Sequence, residues 1–187
     1  FTIAATTGAA GSHVTLSTGS GHHLADINAA LNTGFTYNPG DDQPQTDSVT
    51  LTVTDTTLGD TDTVHFIFNQ GGEGRAVTLN GTSGKDIIFS TGKTDTLTGG
   101  AGADQFVFKL NTGHDTITDF APGQDHIDLR AFSEANTSNI NQWLGDGTTV
   151  VQQGADTLIH LHGNDSILLS NVAKANLSAH DFILHVT

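Results

Sequence analysis

Three aspartates in the middle of the chain recur at intervals of nine residues: Asp86, Asp95 and Asp104. Glycines precede each of them, and glycine tolerates the positive φ angles that a tight turn needs. A tight turn points several backbone carbonyl oxygens at one place, and the aspartate adds a carboxylate to them. Because calcium prefers flexible coordination by oxygen atoms alone, it is the cation that best matches this donor set.

The three nine-residue blocks follow one pattern to different degrees. Residues 99–107 read GGAGADQFV and fit the repeat G-G-x-G-x-D-x-U-x at every fixed position, where U is a large apolar residue. Residues 81–89 depart from it once, because Thr82 stands at the second glycine. Residues 90–98 keep only the aspartate and Leu97, so this block is degenerate.

Each block predicts a glycine-rich turn followed by a short strand whose U side chain faces inward. Successive blocks then lie on opposite faces of a flattened coil, and alternate blocks stack on one another. We therefore expect the turns of Asp86 and Asp104 to stack and to share one calcium ion.

These residues resemble the RTX family of proteins that type I systems secrete. The resemblance continues into residues 112–129, TGHDTITDFAPGQDHIDL, which are similar to the segment that closes RTX arrays in large bacterial adhesins. It implies a parallel calcium β-roll. The repeats and the resemblance together predict the following metal-binding residues: Gly81, Ser83, Gly84, Asp86, Asp95, Gly99, Gly100, Gly102, Asp104, Asp115, Asp119, Asp125 and Asp128.

Composition narrows the possible partners. The chain has 187 residues, with 20 acidic and 6 basic side chains and a net charge of −14. Nucleic acid is not an expected partner, because phosphate neutralisation needs lysine and arginine.

The chain has no cysteine, so we expect calcium to stabilise the fold in the way that disulfides do in many secreted proteins. No apolar stretch is long enough for a membrane span, and no N-terminal signal peptide is present. Methionine is also missing, so we expect the C-terminal piece of a longer protein.

Residues 1–72 are expected to be β-structure. Apolar residues alternate with threonines over 47–55, which predicts a half-buried strand in a hairpin with residues 64–68. Helical spacing of apolar residues predicts a short helix over 24–31. Residues 24–39 and 47–55 resemble the Ig-like or cadherin-like repeats that precede RTX arrays in giant adhesins, which implies a truncated Ig-like β-sandwich. Either the sequence begins inside that domain, or its last strands are replaced by packing on the roll.

Residues 131–187 are predicted to form a β-rich C-terminal cap. A short helix is expected within residues 130–144, ending near Trp143. Three alternating segments follow and predict strands over 148–153, 156–162 and 165–172. The final residues, 177–187, resemble the uncleaved C-terminal signal of type I secretion substrates.

No catalytic pattern is found, since the chain has neither H-E-x-x-H nor G-x-S-x-G. His160 and His162 share one face of a predicted strand and could bind a transition metal, as could His22 with His23. Asp55, Asp60 and Asp62 could hold calcium at a domain junction, and Asp41 and Asp42 could join an ion from an upstream repeat. All five could instead serve only as turn residues.

The sequence therefore predicts an all-β, non-enzymatic protein in three parts: residues 1–72, 73–130 and 131–187. We expect a secreted or surface-attached monomer that folds with calcium and is exported by type I secretion machinery, as the end of an RTX adhesin. A host or surface ligand would then bind other domains of the parent protein. Two alternatives stay open: the RTX tail of an extracellular protease or lipase, and a module that itself binds a sugar or peptide.

Overall fold

The computed structural model describes residues 2–7, 13–17, 47–54, 61–68 and 76–185. The first four strands are antiparallel neighbours: β1 (Thr2–Thr7), β2 (His13–Ser17), β3 (Asp47–Thr54) and β4 (Thr61–Phe68). The predicted hairpin is confirmed, with Val49 opposite Phe66 and Leu51 opposite Val64. The helix predicted over residues 24–31 lies outside the described residues.

The repeats form a roll in which successive short strands alternate between two sheets. One sheet takes β6 (Lys85–Phe89), β8 (Gln105–Val107) and β10 (His126–Asp128). The other takes β5 (Thr78–Asn80), β7 (Thr96–Thr98) and β9 (His114–Ile117). All neighbours within the roll are parallel. The predicted stacking of alternate blocks is therefore confirmed.

The inward U side chains set the register of the roll. Ile88 lies beside Phe106, and Phe106 beside Ile127. Leu97 likewise lies beside Ile117 in the facing sheet. All five side chains have 0% exposure. Because the side-chain period of a strand is two, a slip of one residue would turn each of them to solvent.

The first sheet extends beyond the roll without interruption. Its strand order is β14-β10-β8-β6-β4-β3-β1-β2, and β4 pairs in parallel with β6 so that Ile67 lies beside Ile88. This pairing covers a strand edge that would otherwise be free. Within the described ranges, β1 to β4 form one layer, and the second layer of the predicted Ig-like sandwich is not found there. The arrangement agrees with the alternative in which packing on the roll replaces strands of that domain.

The C-terminal part continues the second sheet. The three predicted strands are confirmed as β11 (Val150–Gln153), β12 (Asp156–His160) and β13 (Ser166–Leu169). The second sheet has the order β11-β12-β13-β9-β7-β5. A helix is present where one was expected, but α1 spans Ile140–Asp146 and so ends later than Trp143. The shift has a local cause, because Gly147 at φ 70° supplies the left-handed residue that terminates a helix.

The end of the chain returns to the roll. Two 3-10 turns, Lys174–Asn176 and Ala179–Asp181, lead into β14 (Phe182–Ile183). β14 pairs in parallel with β10, which places Phe182 beside Ile127. Within the described ranges, no helix is long and apolar enough to cross a membrane.

Candidate calcium site

The two turns with the best repeat sequences lie directly on one another. We call residues 81–86 and 99–104 the paired turns. The backbone N–H of Asp86 donates to Asp104 Oδ1 at 3.0 Å. The next coil repeats this contact, since the N–H of Asp104 donates to Asp125 Oδ1 at 3.0 Å. Each aspartate of this column therefore joins its own turn to the turn that precedes it in the stack.

A second column of turns lies at the opposite edge of the roll. The N–H of Val77 donates to Asp95 Oδ1 at 3.0 Å, and the N–H of Asp95 donates to Asp115 Oδ1 at 2.8 Å. Asp165 closes this column, because its two carboxylate oxygens accept the N–H groups of Asn111 and Gly113 at 2.8 and 3.0 Å.

Sequence reasoning missed two members of these columns. It did not include Asp165 among the metal-binding residues, whereas in the structure Asp165 is the last aspartate of the second column. It also missed Asp181, whose Oδ1 accepts the N–H of Gly123 at 2.6 Å. A signal existed in both cases, since each aspartate is followed within two residues by a buried apolar side chain, Ile167 or Phe182. Before Asp165 the chain keeps only the third glycine of the repeat, Gly163, and before Asp181 it keeps none.

In most turns the second carboxylate oxygen accepts the backbone N–H four residues earlier. The donor and acceptor pairs are Thr82 and Asp86 at 2.8 Å, Thr91 and Asp95 at 2.7 Å, and Ala121 and Asp125 at 2.9 Å. Asp104 differs. Its Oδ2 is buried and has no hydrogen-bond partner among the atoms that the structure describes. A buried carboxylate oxygen without a partner is costly and calls for a cation or a proton.

Backbone carbonyl oxygens of one turn lie against the glycines of the turn that carries this carboxylate. A methyl group built on Gly100 would overlap the carbonyl oxygen of Thr82, and one on Gly102 would overlap that of Gly84 and come within 3.3 Å of Asp104 Oδ1. A methyl on Gly99 would come within 2.5 Å of Asp104 Oδ2. The paired turns therefore approach more closely than any other residue type would allow, and both carbonyl and carboxylate oxygens contact these glycines. This oxygen-only donor set fits calcium.

The structure separates the predicted ligands into groups. The paired turns contain Gly81, Ser83, Gly84 and Asp86, with Gly99, Gly100, Gly102 and Asp104 stacked on them. Asp95 and Asp115 lie in the second column, and Asp125 lies one coil beyond Asp104. In the part of the chain that is described, no three His, Cys, Asp or Glu side chains gather as a metal-binding group. A calcium ion at the paired turns would therefore depend heavily on backbone carbonyls.

Two predicted ligands have other partners. Asp128 is 2% exposed, and its carboxylate accepts bonds from Gln105 Nε2 at 2.8 Å and Arg130 Nη2 at 2.6 Å. Asp119 accepts the N–H groups of Gly99 and Gly100, both at 2.8 Å. Both carboxylates are thus engaged by donors of the protein itself.

Among the described residues, the remaining candidate metal ligands are not gathered into a site. His160 and His162 are exposed, and His162 Nδ1 lies 3.6 Å from Glu134 Oε1. Asp62 falls within β4. The other histidines and aspartates named before the repeats lie outside the described residues: His22, His23, Asp41, Asp42, Asp55 and Asp60.

Burial changes the acidity of the roll carboxylates. Loss of hydration raises the pKa of Asp104 from 3.8 to about 6, against the opposing effect of the bond from the Asp86 N–H. The negative charges of Asp125 and Asp86 raise it further. Loss of hydration likewise raises the pKa of Asp115 to about 7, although bonds from Thr112 and from the Asp95 N–H oppose the shift.

These shifts predict how pH acts on the calcium-free roll. A carboxyl whose folded-state pKa exceeds its unfolded value of 3.8 stabilises the fold at low pH, and this contribution disappears as pH rises through about 6 and about 7. In calcium-free buffer the folded fraction of the protein should therefore fall as pH rises from about 4 to about 7. In saturating calcium the stability should instead rise with pH, because a metal-bound carboxylate must be deprotonated. Far-UV circular dichroism without calcium and urea denaturation with calcium measure the two pH dependences, and dependences of the same sign would contradict the linkage.

The chain is similar to one protein family and to several solved structures of low sequence identity. A family described as Peptidase M10 serralysin C terminal matches residues 74–187. No curated protein matches the chain.

Among solved structures, the AlgE6R3 subunit of the Azotobacter vinelandii mannuronan C5-epimerase is 22% identical with a TM-score of 0.42, over 60% of this chain and 80% of that chain. The AlgE6R2 subunit of the same enzyme is 22% identical with a TM-score of 0.41, over 60% and 88%. Extracellular lipase LipA from Serratia marcescens is 16% identical with a TM-score of 0.43, over 73% of this chain and 29% of the lipase.

Proposed function

Because the chain belongs to the family described as Peptidase M10 serralysin C terminal, we propose that it is a non-catalytic module that folds outside the cell when calcium binds. One observation carries the calcium part of this proposal: Asp104 Oδ2 is buried without a partner between the paired turns. Carbonyl oxygens of Thr82 and Gly84 approach the same turn. Calcium supplies the positive charge that this group of oxygens needs.

The electrostatics of the roll explain why folding would wait for calcium. Six aspartates between residues 86 and 128 are at most 3% exposed, in a chain whose net charge is −14. Burying these carboxylates without a cation costs hydration and brings like charges together. An ion that binds only the folded state stabilises it by about 1.4 kcal/mol at ten times its dissociation constant. At the low calcium concentration of a cytosol the same contribution vanishes, so the chain stays unfolded until it is exported.

A calcium titration followed by far-UV circular dichroism tests this proposal. The full chain should gain β-structure cooperatively as calcium rises to the millimolar concentrations of extracellular sites, on the order of 10⁻⁴–10⁻³ M. Magnesium is the control, because it demands near-octahedral geometry and gives up its water reluctantly. Complete β-structure in calcium-free buffer at neutral pH would contradict calcium-dependent folding.

The secretion part of the proposal rests on the end of the chain. Residues 177–187 are expected to carry the address that a type I system reads. Phe182 and Leu184 are 7% and 8% exposed in the folded protein, so the address is accessible only before folding. Export of an unfolded chain is consistent with that burial.

Deletion of residues 177–187 should abolish export by a matched type I system. Because the deletion also removes β14, a second variant must separate export from folding. Asp181→Asn keeps the whole tail but weakens the bond from the Gly123 N–H to Asp181 Oδ1. Secreted protein measured in the culture medium should be lost for the deletion and retained for Asp181→Asn. Undiminished export of the deletion would refute the placement of the address.

The parent protein is proposed to be an RTX adhesin divided, in this part, into residues 1–72, 73–130 and 131–187. The antiparallel strands β1 to β4 before the roll favour this reading, because they extend the sheet with structure that is not part of the repeat. The family description favours a second candidate, the tail of a secreted protease. The sequence that precedes Phe1 decides between them: further β-repeats support the adhesin, and a catalytic domain supports the protease.

A further inference from the structure

Asp119 accepts hydrogen bonds from the turn at residues 99–104, which is one of the paired turns, rather than from residues next to it in the sequence. It follows β9, and its two carboxylate oxygens accept the N–H groups of Gly99 and Gly100, both at 2.8 Å. The sequence separations are 20 and 19 residues, so these bonds cross from one coil of the roll to the next. The glycine N–H groups at the start of the turn at 99–104 are thereby held by a neighbouring coil.

These bonds from Gly99 and Gly100 to Asp119 remove a hydrogen-bond donor that Asp104 would otherwise have. In three other turns the N–H four residues before the aspartate donates to the second oxygen of that aspartate. The equivalent group for Asp104 is the N–H of Gly100, and Asp119 Oδ2 accepts it instead. Asp104 Oδ2 therefore has no partner among the described atoms, although Asp104 is only 1% exposed.

Threonine hydroxyls provide a further hydrogen bond to the aspartates of two other turns, and Asp104 has no such bond. Thr82 Oγ1 donates to Asp86 Oδ2 at 3.0 Å, and Thr91 Oγ1 donates to Asp95 Oδ2 at 2.7 Å. These hydroxyls add to the backbone N–H bonds that the same oxygens already accept. The turn at 99–104 has Gly100 at the corresponding position, so no hydroxyl there competes with a cation.

A second contact holds the far end of the same turn. Gln124 Nε2 donates to the carbonyl oxygen of Gly102. Gly102 adopts φ 131° and Gly100 adopts φ 93°, conformations that only glycine takes up readily. Residues 119–124 thus bond to the turn at 99–104 at Gly99 and Gly100 and again at Gly102, and these bonds fix the direction in which its carbonyls point.

We propose that Asp119 is a positioning residue that reserves Asp104 Oδ2 for calcium and so makes the paired turns the principal calcium site of the roll. This inference rests on the proposed calcium-dependent function. It also gives Asp119 a different role from the ligand predicted from the sequence, because both of its oxygens are engaged by backbone N–H groups.

The test uses Asp119→Asn in the full chain, with calcium binding measured by isothermal titration. Asparagine has one acceptor oxygen, so it can bind only one of the two glycine N–H groups. The N–H of Gly100 is then free to bond to Asp104 Oδ2, as its counterparts do in the other turns. We expect calcium to bind roughly tenfold more weakly at unchanged stoichiometry.

Asp128→Asn is the matched control. It alters another aspartate of the same closing segment. The Asp128 carboxylate accepts bonds from the side chains of Gln105 and Arg130 rather than from the turn at residues 99–104. The substitution should lower the thermal stability and leave the calcium dissociation constant within about twofold of the wild type. Asp119→Asn should instead change the dissociation constant, which distinguishes positioning of the site from a general loss of stability.

A double-mutant cycle and amide NMR shifts complete the test. If Asp119 acts through Asp104, Asp119→Asn should have little further effect on calcium binding in an Asp104→Asn background. The amide shifts of Gly99 and Gly100 should change in the calcium-loaded Asp119→Asn protein and stay in place in Asp128→Asn. Loss of a whole ion in Asp119→Asn, or an unchanged dissociation constant, would overturn the positioning role. A wild-type chain that binds no calcium would overturn this inference and the proposed function together.

Discussion

Asp104→Asn is expected to move the calcium midpoint of folding to at least about tenfold higher concentration. The substitution keeps the size of the side chain and one carbonyl oxygen but removes the negative charge. Asp104 lies in the turn whose sequence fills every position of the repeat, and its Oδ2 is buried without a partner. An oxygen-coordinated cation loses most of its attraction to the site when that charge is removed. The roll is held by contacts between neighbouring coils, so loss of one ion also weakens adjacent turns.

The same substitution should have the opposite effect when calcium is absent. Burial raises the pKa of Asp104 to about 6, so at neutral pH the charged form opposes folding in calcium-free buffer. The neutral amide of Asp104→Asn removes that opposition. In calcium-free buffer at neutral pH the variant should therefore show more β-structure by far-UV circular dichroism than the wild type, and in saturating calcium it should unfold at a lower urea concentration. A variant that is less stable under both conditions would indicate a packing defect rather than a lost calcium ligand.

The control for Asp104→Asn must be an aspartate outside both columns of turns. Asp165 is unsuitable, because its carboxylate accepts two backbone N–H groups of the roll. Asp146 meets the requirement: it is the last residue of helix α1, is exposed, and accepts the N–H groups of Thr148 and Thr149. Asp146→Asn should leave the calcium midpoint unchanged. An equal shift for Asp146→Asn and Asp104→Asn would mean that overall charge, rather than a site at the paired turns, controls calcium binding.

Gly100→Ala is expected to abolish calcium-dependent folding. A methyl group at this position would overlap the carbonyl oxygen of Thr82 in the turn stacked on it. The overlap involves backbone on both sides, so relief requires the paired turns to separate. Separation would break the bond from the Ala101 N–H to that same oxygen, 3.2 Å long, and would disperse the oxygens that face calcium. Circular dichroism during a calcium titration should show no folding transition up to about 10⁻³ M calcium.

Gly123→Ala is the matched control for the backbone conformation. Gly123 has φ 81°, close to the φ 93° of Gly100, but a methyl group at Gly123 would meet no atom within 4 Å. It therefore bears only the cost of a left-handed alanine, about 1–2 kcal/mol. Gly123→Ala should fold with calcium at a modestly lower melting temperature. If the two variants behaved alike, backbone strain alone would explain the loss, and close approach of the paired turns would not be required.

Local sequence determined the repeating unit of this protein. A glycine-rich turn, an aspartate and an apolar residue two positions later describe half a coil, because the turn and the strand period depend only on neighbouring residues. The inward positions of Ile88, Leu97 and Phe106 followed from that pattern and are confirmed by their complete burial. The strands β11 to β13 were predictable for the same reason, since their alternation is visible within a few residues.

Tertiary structure alone decided how the carboxylates are used. The sequence predicted both Asp104 and Asp119 as calcium ligands, yet Asp119 accepts the N–H of Gly100 and Asp104 keeps one oxygen without a partner among the described atoms. Asp165 joins the roll across 52 residues to Gly113, and Asp181 joins it across 58 residues to Gly123. Such bonds depend on which coil stacks against which, and a local pattern does not contain that information.

The sequence likewise did not predict that the first sheet runs without interruption from the roll into β1 to β4. The alternation in β3 and β4 predicted a hairpin, and the hairpin is present. That β4 then pairs in parallel with β6, and that β14 returns to β10, depends on free strand edges that exist only once the roll has formed. The sequence determined the coil and the chemistry of its turns, and the packing of one coil on the next determined which aspartate is left for calcium.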